Sequence, residues 1–347
     1  MDVRLVVNTI LLALLAAGIL VAGTLLGGWA GLLLAVLILA ALVLAVSVFF
    51  LRLVLRRPGG VLSNVGPAAG TRTQQDAETA AYIQEKEALL APQGWEDVSI
   101  TSRDGLRLHG YYLAGAPGEK RTAVLAHGYS VRALQMADYA LFWRDTYGFN
   151  VLMPDARAHG QSEGVYAGMG WPERLDYLDW FDYLLKKLGP DATFVMQGIS
   201  MGGATVLTTG GENPPEALKF LIEDCGYTSA YNEFRHQMSA RYHLPSIPVL
   251  PVVSLLARAL AGYRFTQASP LRSASRITLP ILFIHGEADN YVPTYMVHQL
   301  YNAADKAPHK EKITVPGAGH VKAFFADDSG RIRKAIHRYV ESYLPPE

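Results

Sequence analysis

The sequence predicts an α/β domain, a mostly parallel eight-stranded sheet with helices on both faces, carried behind a transmembrane helical hairpin. Three observations predict it. Short apolar runs of strand length alternate with helical stretches from Val98 to Tyr343, and such alternation buries a parallel sheet on both faces. From Leu5 to Leu51, 47 consecutive residues contain no Asp, Glu, Lys or Arg. The whole chain has 347 residues, half of them apolar and 18% charged; this is enough for one such domain and too apolar for disorder.

A helix needs about 20 apolar residues to cross a hydrocarbon core about 30 Å thick. The 47-residue run therefore suits two spans, about 5–26 and 32–51, turning at Gly27-Gly28-Trp29-Ala30-Gly31. Glycine permits the reversal, and Trp29 suits the interface level. A cleaved signal peptide fits less well, because apolar regions of that kind run about 7–15 residues and here a second apolar helix follows directly. Arg4 precedes the first span, and Arg52, Arg56 and Arg57 follow the second. The positive-inside rule then puts both ends of the hairpin, and the domain behind it, in the cytoplasm. If only one span forms, the domain falls on the other side.

Residues 1–57 thus read as a membrane anchor and 58–94 as a linker followed by an amphipathic helix, Thr73 to Leu90. Residues 95–347 make the α/β domain. Its first strands, Val98–Thr101 and Leu106–Leu113, flank the hairpin turn Arg103-Asp104-Gly105. Six further strands are expected at 122–126, 150–153, 193–197, 220–223, 281–284 and 312–315. Helices are expected at 133–147, 173–188, 201–209, 294–304 and 330–343. Between Tyr231 and Ser275 no strand is evident, but Pro245, Pro248 and Pro251 and an apolar helix near Val252–Leu260 are. A stretch of this length between two strands reads as a cap or lid, whose apolar side chains would line a pocket, rest on the membrane or pack on the domain.

Composition excludes several classes of function. The 31 basic and 31 acidic residues cancel, so the electrostatic footprint of nucleic-acid binding is missing. Cys225 is the single cysteine, which excludes an internal disulfide framework and a cysteine-based zinc cage. No H-E-x-x-H or H-x-x-E-H spacing and no phosphate-binding glycine loop occurs, so neither a metal nor a nucleotide cofactor is expected.

Chemistry concentrates in four loops. Gly198-Ile199-Ser200-Met201-Gly202 follows one expected strand and opens a helix, the context in which G-x-S-x-G presents a nucleophilic serine. The Met201 N–H, at the helix N-terminus, is then an oxyanion donor. The strand 122–126 runs into His127-Gly128-Tyr129, which offers the Tyr129 N–H as the second donor. Serine needs a base, and the base an orienting acid. Asp289 ends the loop after strand 281–284, and His320 ends the loop Pro316-Gly317-Ala318-Gly319-His320 after strand 312–315. Both fall past the carboxyl ends of their strands, where parallel sheets collect functional groups. Asp224 and Glu287 are weaker candidates for the acid. His285 and His159 are expected to satisfy backbone groups, His109 to sit solvated on its strand, and Asp155 and Arg157 to hydrogen-bond loop backbone.

With these motifs in order, the domain resembles the α/β-hydrolase superfamily over Trp95–Leu344. The matching pieces are His127-Gly128-Tyr129, Asp155-Ala156-Arg157-Ala158-His159-Gly160, Gly198-Ile199-Ser200-Met201-Gly202, His285-Gly286-Glu287-Ala288-Asp289 and Gly319-His320. It looks closest to the serine aminopeptidase-like and monoacylglycerol-lipase-like branch, including bacterial membrane-anchored members. Ala158 departs from that branch, which usually carries glycine there. The expectation is a membrane-anchored serine hydrolase cleaving a small-molecule or lipid-like carboxylic ester through a Ser200–His320–Asp289 triad. The same residues would serve a peptidase or amidase, and a non-catalytic membrane scaffold is the alternative of a different class. Membrane lipid is the expected partner of the hairpin; no nucleic-acid or protein partner is expected.

Overall fold

Alternation along the central strands sorts the core into two faces. In the computed structural model of the chain, which describes residues 3–56, 81, 84–86 and 88–345, the strands are β1 (Glu96–Thr101), β2 (Arg107–Leu113), β3 (Arg121–Ala126), β4 (Asn150–Pro154), β5 (Thr193–Ile199), β6 (Leu218–Asp224), β7 (Ile281–Gly286) and β8 (Lys310–Val315). Ala123, Leu125, Val195 and Ile222 point to one face, where they bury Trp143 and Tyr339. Val124, Ala126, Met196 and Leu221 point to the other and bury Trp180 and Phe181. Side chains of successive strand residues leave on opposite sides, so these near-continuous apolar strands must be covered twice. Ala137–Tyr147 and Arg331–Tyr343 cover the first face, and Glu173–Leu188 the second. Two of the large aromatic residues inside have their polar atoms paired: the Trp143 indole N–H donates to Gln197 Oε1 at 2.7 Å, and the Tyr339 hydroxyl to the Ile281 carbonyl at 2.9 Å.

One sheet of eight strands runs in the order β1-β2-β4-β3-β5-β6-β7-β8. The first two strands form an antiparallel hairpin, β2 pairs antiparallel with β4, and every later pairing is parallel. The strand order reverses between β3 and β5. At such a switch point the loops leaving the two carboxyl ends diverge and open a crevice, and here those loops are 127–130 and the turn at Ser200.

Between β6 and β7 lie the helices Ala230–Tyr242, Val249–Ala261 and Pro270–Ala274. A third cluster beneath them joins Phe234, Leu250, Val253 and Phe265 to Leu51 and Leu55 of the N-terminal segment. The expected linker, 58–70, and most of the expected helix 73–90 lie outside the described residues; 84–86 and 88–90 are helical. Lys86 is buried there and pairs with Asp138 at 2.9 Å.

The N-terminal apolar segment is one helical run, Val3–Val54, broken at a single residue, Gly28, whose φ of 56° and ψ of −139° are not helical. The run is long and apolar enough to cross a membrane. Gly23 and Gly31 approach so closely that a Cβ on Gly23 would stand 2.7 Å from the Gly31 carbonyl oxygen. Asn8 Nδ2 donates to the His243 carbonyl at 2.8 Å, and Ser47 Oγ to the Val249 carbonyl at 3.4 Å.

Candidate active site

Ser200 stands on the turn between β5 and the Met201–Gly210 helix with φ 56° and ψ −116°. A non-glycine residue held there costs about 1–3 kcal/mol and persists only where its surroundings over-determine it. They do so here. The Ser200 N–H donates to the Asp224 carbonyl at 2.8 Å, and its carbonyl accepts from the Ala204 N–H at 2.9 Å. Flanking glycines admit neighbouring chains: a Cβ on Gly202 would fall 1.9 Å from the Ala126 carbonyl oxygen, and one on Gly198 would fall 2.3 Å from that of Gly202. A larger residue at Gly202 would push the turn away from β3, and one at Gly198 would push the following helix away from β5.

From this turn a line of hydrogen bonds runs across three loops. Ser200 Oγ lies 2.9 Å from His320 Nε2, and His320 Nδ1 lies 2.7 Å from Asp289 Oδ2. The other carboxylate oxygen, Oδ1, accepts from the Tyr291 and Val292 N–H groups at 2.9 Å each. Burial opposes ionisation of Asp289, but hydrogen bonds from His285 and His320 and from the Val292 N–H outweigh it and hold the carboxyl well below the usual range. An ionised, fully hydrogen-bonded carboxylate fixes a histidine with Nδ1 protonated, leaving Nε2 to accept from a hydroxyl. Tyr291 stacks on the His320 ring, centroids 4.9 Å apart, which further restricts its rotation.

The loop after β3 is clamped by a second histidine. His127 Nδ1 donates to the Gly128 carbonyl at 2.7 Å, while Nε2 accepts from the Ala156 N–H at 2.9 Å. Burial lowers the pKa of this ring, consistent with the neutral tautomer that those two bonds require. A Cβ on Gly128 would stand 3.6 Å from that of Ser200, so the loop passes directly over the serine. The next residue is Tyr129. Among the described residues, neither its N–H nor that of Met201 has a hydrogen-bond partner; Tyr129 lines the same cavity as Ser200, and Met201 is the residue after it. Two uncommitted donors beside one hydroxyl can accept an oxyanion.

The five expected site residues therefore meet at one place, and the weaker acids do not. His320 bonds Asp289 and not Asp224, whose buried carboxyl is pushed up to about 7, mainly by burial. Glu287 Oε1 accepts from Thr314 at 2.7 Å. His285 Nε2 lies 2.9 Å from the Val292 carbonyl and 3.4 Å from Asp289 Oδ2, so it braces the acid as well as backbone. His159 Nδ1 lies 2.9 Å from the Arg157 carbonyl, and its Nε2 accepts from the Ser130 N–H at 3.3 Å.

Two expectations need correcting. His109 is half-buried rather than solvated, bridging Asp155 Oδ2 at 3.2 Å and Asp97 Oδ1 at 2.9 Å. The antiparallel register places Asp97 beside it and the β4 end delivers Asp155. Arg157 bonds carboxylates rather than backbone, reaching Asp176 at 2.6 Å and Asp104 at 2.8 Å. Asp155 does bind loop backbone, accepting from Ala133 and Gln161 N–H groups at 2.9 Å. Ala158 holds a left-handed φ of 61° in that turn, a conformation that glycine adopts more readily.

Around the serine opens a cavity of about 640 Å³. Phe234 and Tyr227 contribute apolar lining, and Gln237, Arg241 and Glu233 polar lining. Glu233 is 3% exposed, accepts from Gln237 Nε2 at 2.8 Å, and is pushed up to about 8 by burial. Sequence reasoning missed Phe50, Leu53 and Val54 in this cavity and Tyr291 against His320; neither follows from local pattern. Cys225, Asp289 and His320 have potential metal-ligand atoms within 4.8 Å of one another. Those of Asp289 and His320 are committed to each other, however, and burial raises the thiol well above its ordinary pKa. The donor set therefore suits packing around the hydrogen-bonded line better than a cation.

Comparison with known proteins bears on the same region. The alpha/beta hydrolase family model matches residues 123–335, more than half the chain. The Bacillus subtilis protein YqkD is 28% identical over 243 residues, covering 70% of this chain and 78% of its own length. Among solved structures, a Pyrococcus furiosus esterase superposes with a TM-score of 0.60 at 22% identity, covering 74% of this chain and 94% of its own. An acetyl xylan esterase from Paenibacillus superposes with a TM-score of 0.54 at 18% identity, covering 76% and 94%.

Proposed function

The chain belongs to the alpha/beta hydrolase family, and on that premise we propose that it is a membrane-anchored serine hydrolase cleaving a carboxylic ester through an acyl-enzyme. One observation carries the reading: the hydrogen-bonded line Ser200–His320–Asp289 ends in a cavity beside two uncommitted N–H groups. Esterase structures of the same fold are in keeping with it.

In this mechanism Ser200 Oγ attacks the ester carbonyl carbon and its proton passes to His320 Nε2. Asp289 keeps the Nδ1–H oriented and stabilises the imidazolium. The Tyr129 and Met201 N–H groups take the negative charge that develops on the carbonyl oxygen; one such donor is worth about 10²–10³ in kcat. Collapse of the tetrahedral species breaks the C–O bond, and His320 returns the proton to the departing alkoxide. Water then attacks the acyl-enzyme with His320 as base, releasing the acid and restoring Ser200.

The anchor in this reading is a hairpin of two spans. Supporting it are the break at Gly28, the close approach of Gly23 and Gly31, and the bonds that tie both Asn8 and Ser47 to the short stretch 243–249. A straight run from Asn8 to Ser47 would extend about 58 Å at 1.5 Å per residue, too far for that. Arginines at both ends of the apolar run favour a cytoplasmic domain.

The test is covalent labelling by a fluorophosphonate probe. The native chain is expected to label, and Ser200→Ala and His320→Ala to lose the label. A folded native chain that stays unlabelled and turns over no ester would leave the scaffold reading in its place. Labelling that survives Ser200→Ala would mean that another nucleophile is at work.

A further inference from the structure

The apolar run does more than end near the domain: its last turns form part of the Ser200 cavity. Phe50, Leu53 and Val54 line it together with Phe234, Ser200 and His320. This end of the helix is held on every side. The Tyr129 hydroxyl donates to the Val54 carbonyl at 2.8 Å, and the Ala167 N–H to the Leu55 carbonyl at 2.7 Å. Arg56 pairs with Tyr166 in an isolated β-bridge, and Leu51 and Leu55 are 1% and 0% exposed. The Phe50 ring meets Phe234 edge to face at 6.4 Å. Such a segment is a wall of the site and not a tether beside it.

The same surface leads away from the cavity without becoming polar. Phe49 and Val46 are exposed on the same helix, and Val46 lies one turn before Phe50 on the same face, about 6 Å along the axis at 1.5 Å per residue. The neighbouring helix Val249–Ala261, joined to the run through Ser47, adds exposed Leu255 and Leu260. An apolar track therefore runs from the bilayer-length part of the helix to the serine. Glu233, Gln237 and Arg241 also line the cavity, groups that suit the polar part of an amphiphile.

We propose that Phe50, Leu53 and Val54 form the acyl-chain wall of the Ser200 site, and that the substrate is an ester of an extended fatty acyl chain that reaches the serine from the membrane surface. The proposal rests on the serine-hydrolase reading above. Each methylene that the wall buries is worth about fourfold in kcat/KM, the equivalent of about 0.8 kcal/mol, so the wall selects long chains over short ones.

The test uses the full chain in detergent micelles and a series of p-nitrophenyl esters from acetate through butyrate and octanoate to dodecanoate. For the native protein, kcat/KM is expected to climb at each step of the series, by about fourfold for each added methylene that the wall buries. Val54→Trp, which fills the wall, is expected to lower the dodecanoate-to-acetate ratio at least tenfold in protein that still labels at Ser200. Phe50→Ala is expected to flatten the climb. Leu44→Ala, on the same helix but outside the cavity, should leave the profile as it was. A native profile that does not rise with chain length overturns the proposal even if no variant folds. So does an unchanged ratio in a labelled Val54→Trp. In both cases labelling of the native Ser200 would leave the hydrolase reading standing, whereas absence of labelling would remove that reading first.

Discussion

Two histidines in this protein each bridge a carboxylate to a second group, and they are built for opposite ends. His320 holds Asp289 at 2.7 Å on one nitrogen and the Ser200 hydroxyl at 2.9 Å on the other. His109 holds Asp155 at 3.2 Å and Asp97 at 2.9 Å, a carboxylate on each side. Burial lowers the pKa of His109, but the hydrogen bonds it donates to Asp155 and Asp97 outweigh it and the net shift is upward. With acceptors on both nitrogens, His109 is satisfied as a cation and has no lone pair left to take a proton. His320 has one acid partner, and its Nε2, the nitrogen that receives the serine proton in the proposed mechanism, faces the Ser200 hydroxyl. A histidine–aspartate pair is thus a base only where the far nitrogen faces a hydroxyl in a cavity; between two carboxylates it is a brace.

The largest effect should come from breaking the first bridge. In ester turnover, Asp289→Asn is expected to lose about 10⁴ in kcat, because the imidazole tautomer is no longer fixed. Asp155→Asn, the matching change at the second bridge, should leave kcat within about threefold while lowering the unfolding midpoint in urea, since Asp155 accepts from two backbone N–H groups as well as from His109. Equal losses of turnover in the two variants would erase the distinction.

A pH series sharpens the same contrast. Because the folded-state pKa of His109 is raised, its stabilisation is fully present below the unfolded value of about 6.5 and is lost as pH rises through the folded value. His109→Gln is therefore expected to be less stable than the native chain at pH 5.5, with the gap narrowing at high pH. Equal gaps at pH 5.5 and pH 9, measured by urea unfolding, would refute the bridge as a titrating brace. Glu233 acts in the same direction. Its folded pKa is also raised, to about 8 from 4.5, so here too the folded state holds a proton which the unfolded state has lost. Stability should fall between about pH 4.5 and about 8, and Glu233→Gln should flatten that fall. The smallest effect is expected in the turn beside His159. Ala158→Gly relieves a left-handed φ of 61° and should stabilise the chain by no more than about 1 kcal/mol, the gain from relief being partly offset by the chain entropy of glycine.

The comparison also marks how far the sequence can be read. Ser200, Asp289 and His320 lie within a few residues of strand ends, and the strands are written locally as short apolar runs with glycines after them. Both histidine bridges look alike at that level. His109 sits in a strand with an aspartate twelve positions away, and nothing in the intervening residues says that the register will place Asp97 beside it or that the end of β4 will bring Asp155 to its other nitrogen. Arg157 was misread for the same reason: its partners, Asp104 and Asp176, come from the β1–β2 turn and from the Glu173–Leu188 helix.

What the sequence alone determined is the α/β alternation, the apolar N-terminal run, and the loops that carry Ser200, Asp289 and His320, because each depends on residues that are neighbours in the chain. The tertiary structure decided the strand order that reverses between β3 and β5, the stacking of Tyr291 on His320, and the entry of Phe50, Leu53 and Val54 into the cavity. That last arrangement turns on contacts such as the Tyr129–Val54 hydrogen bond, which joins positions 75 apart. Side-chain periodicity reports which face of an element is apolar, but the face it will meet is selected only when the sheet and cap have closed around it.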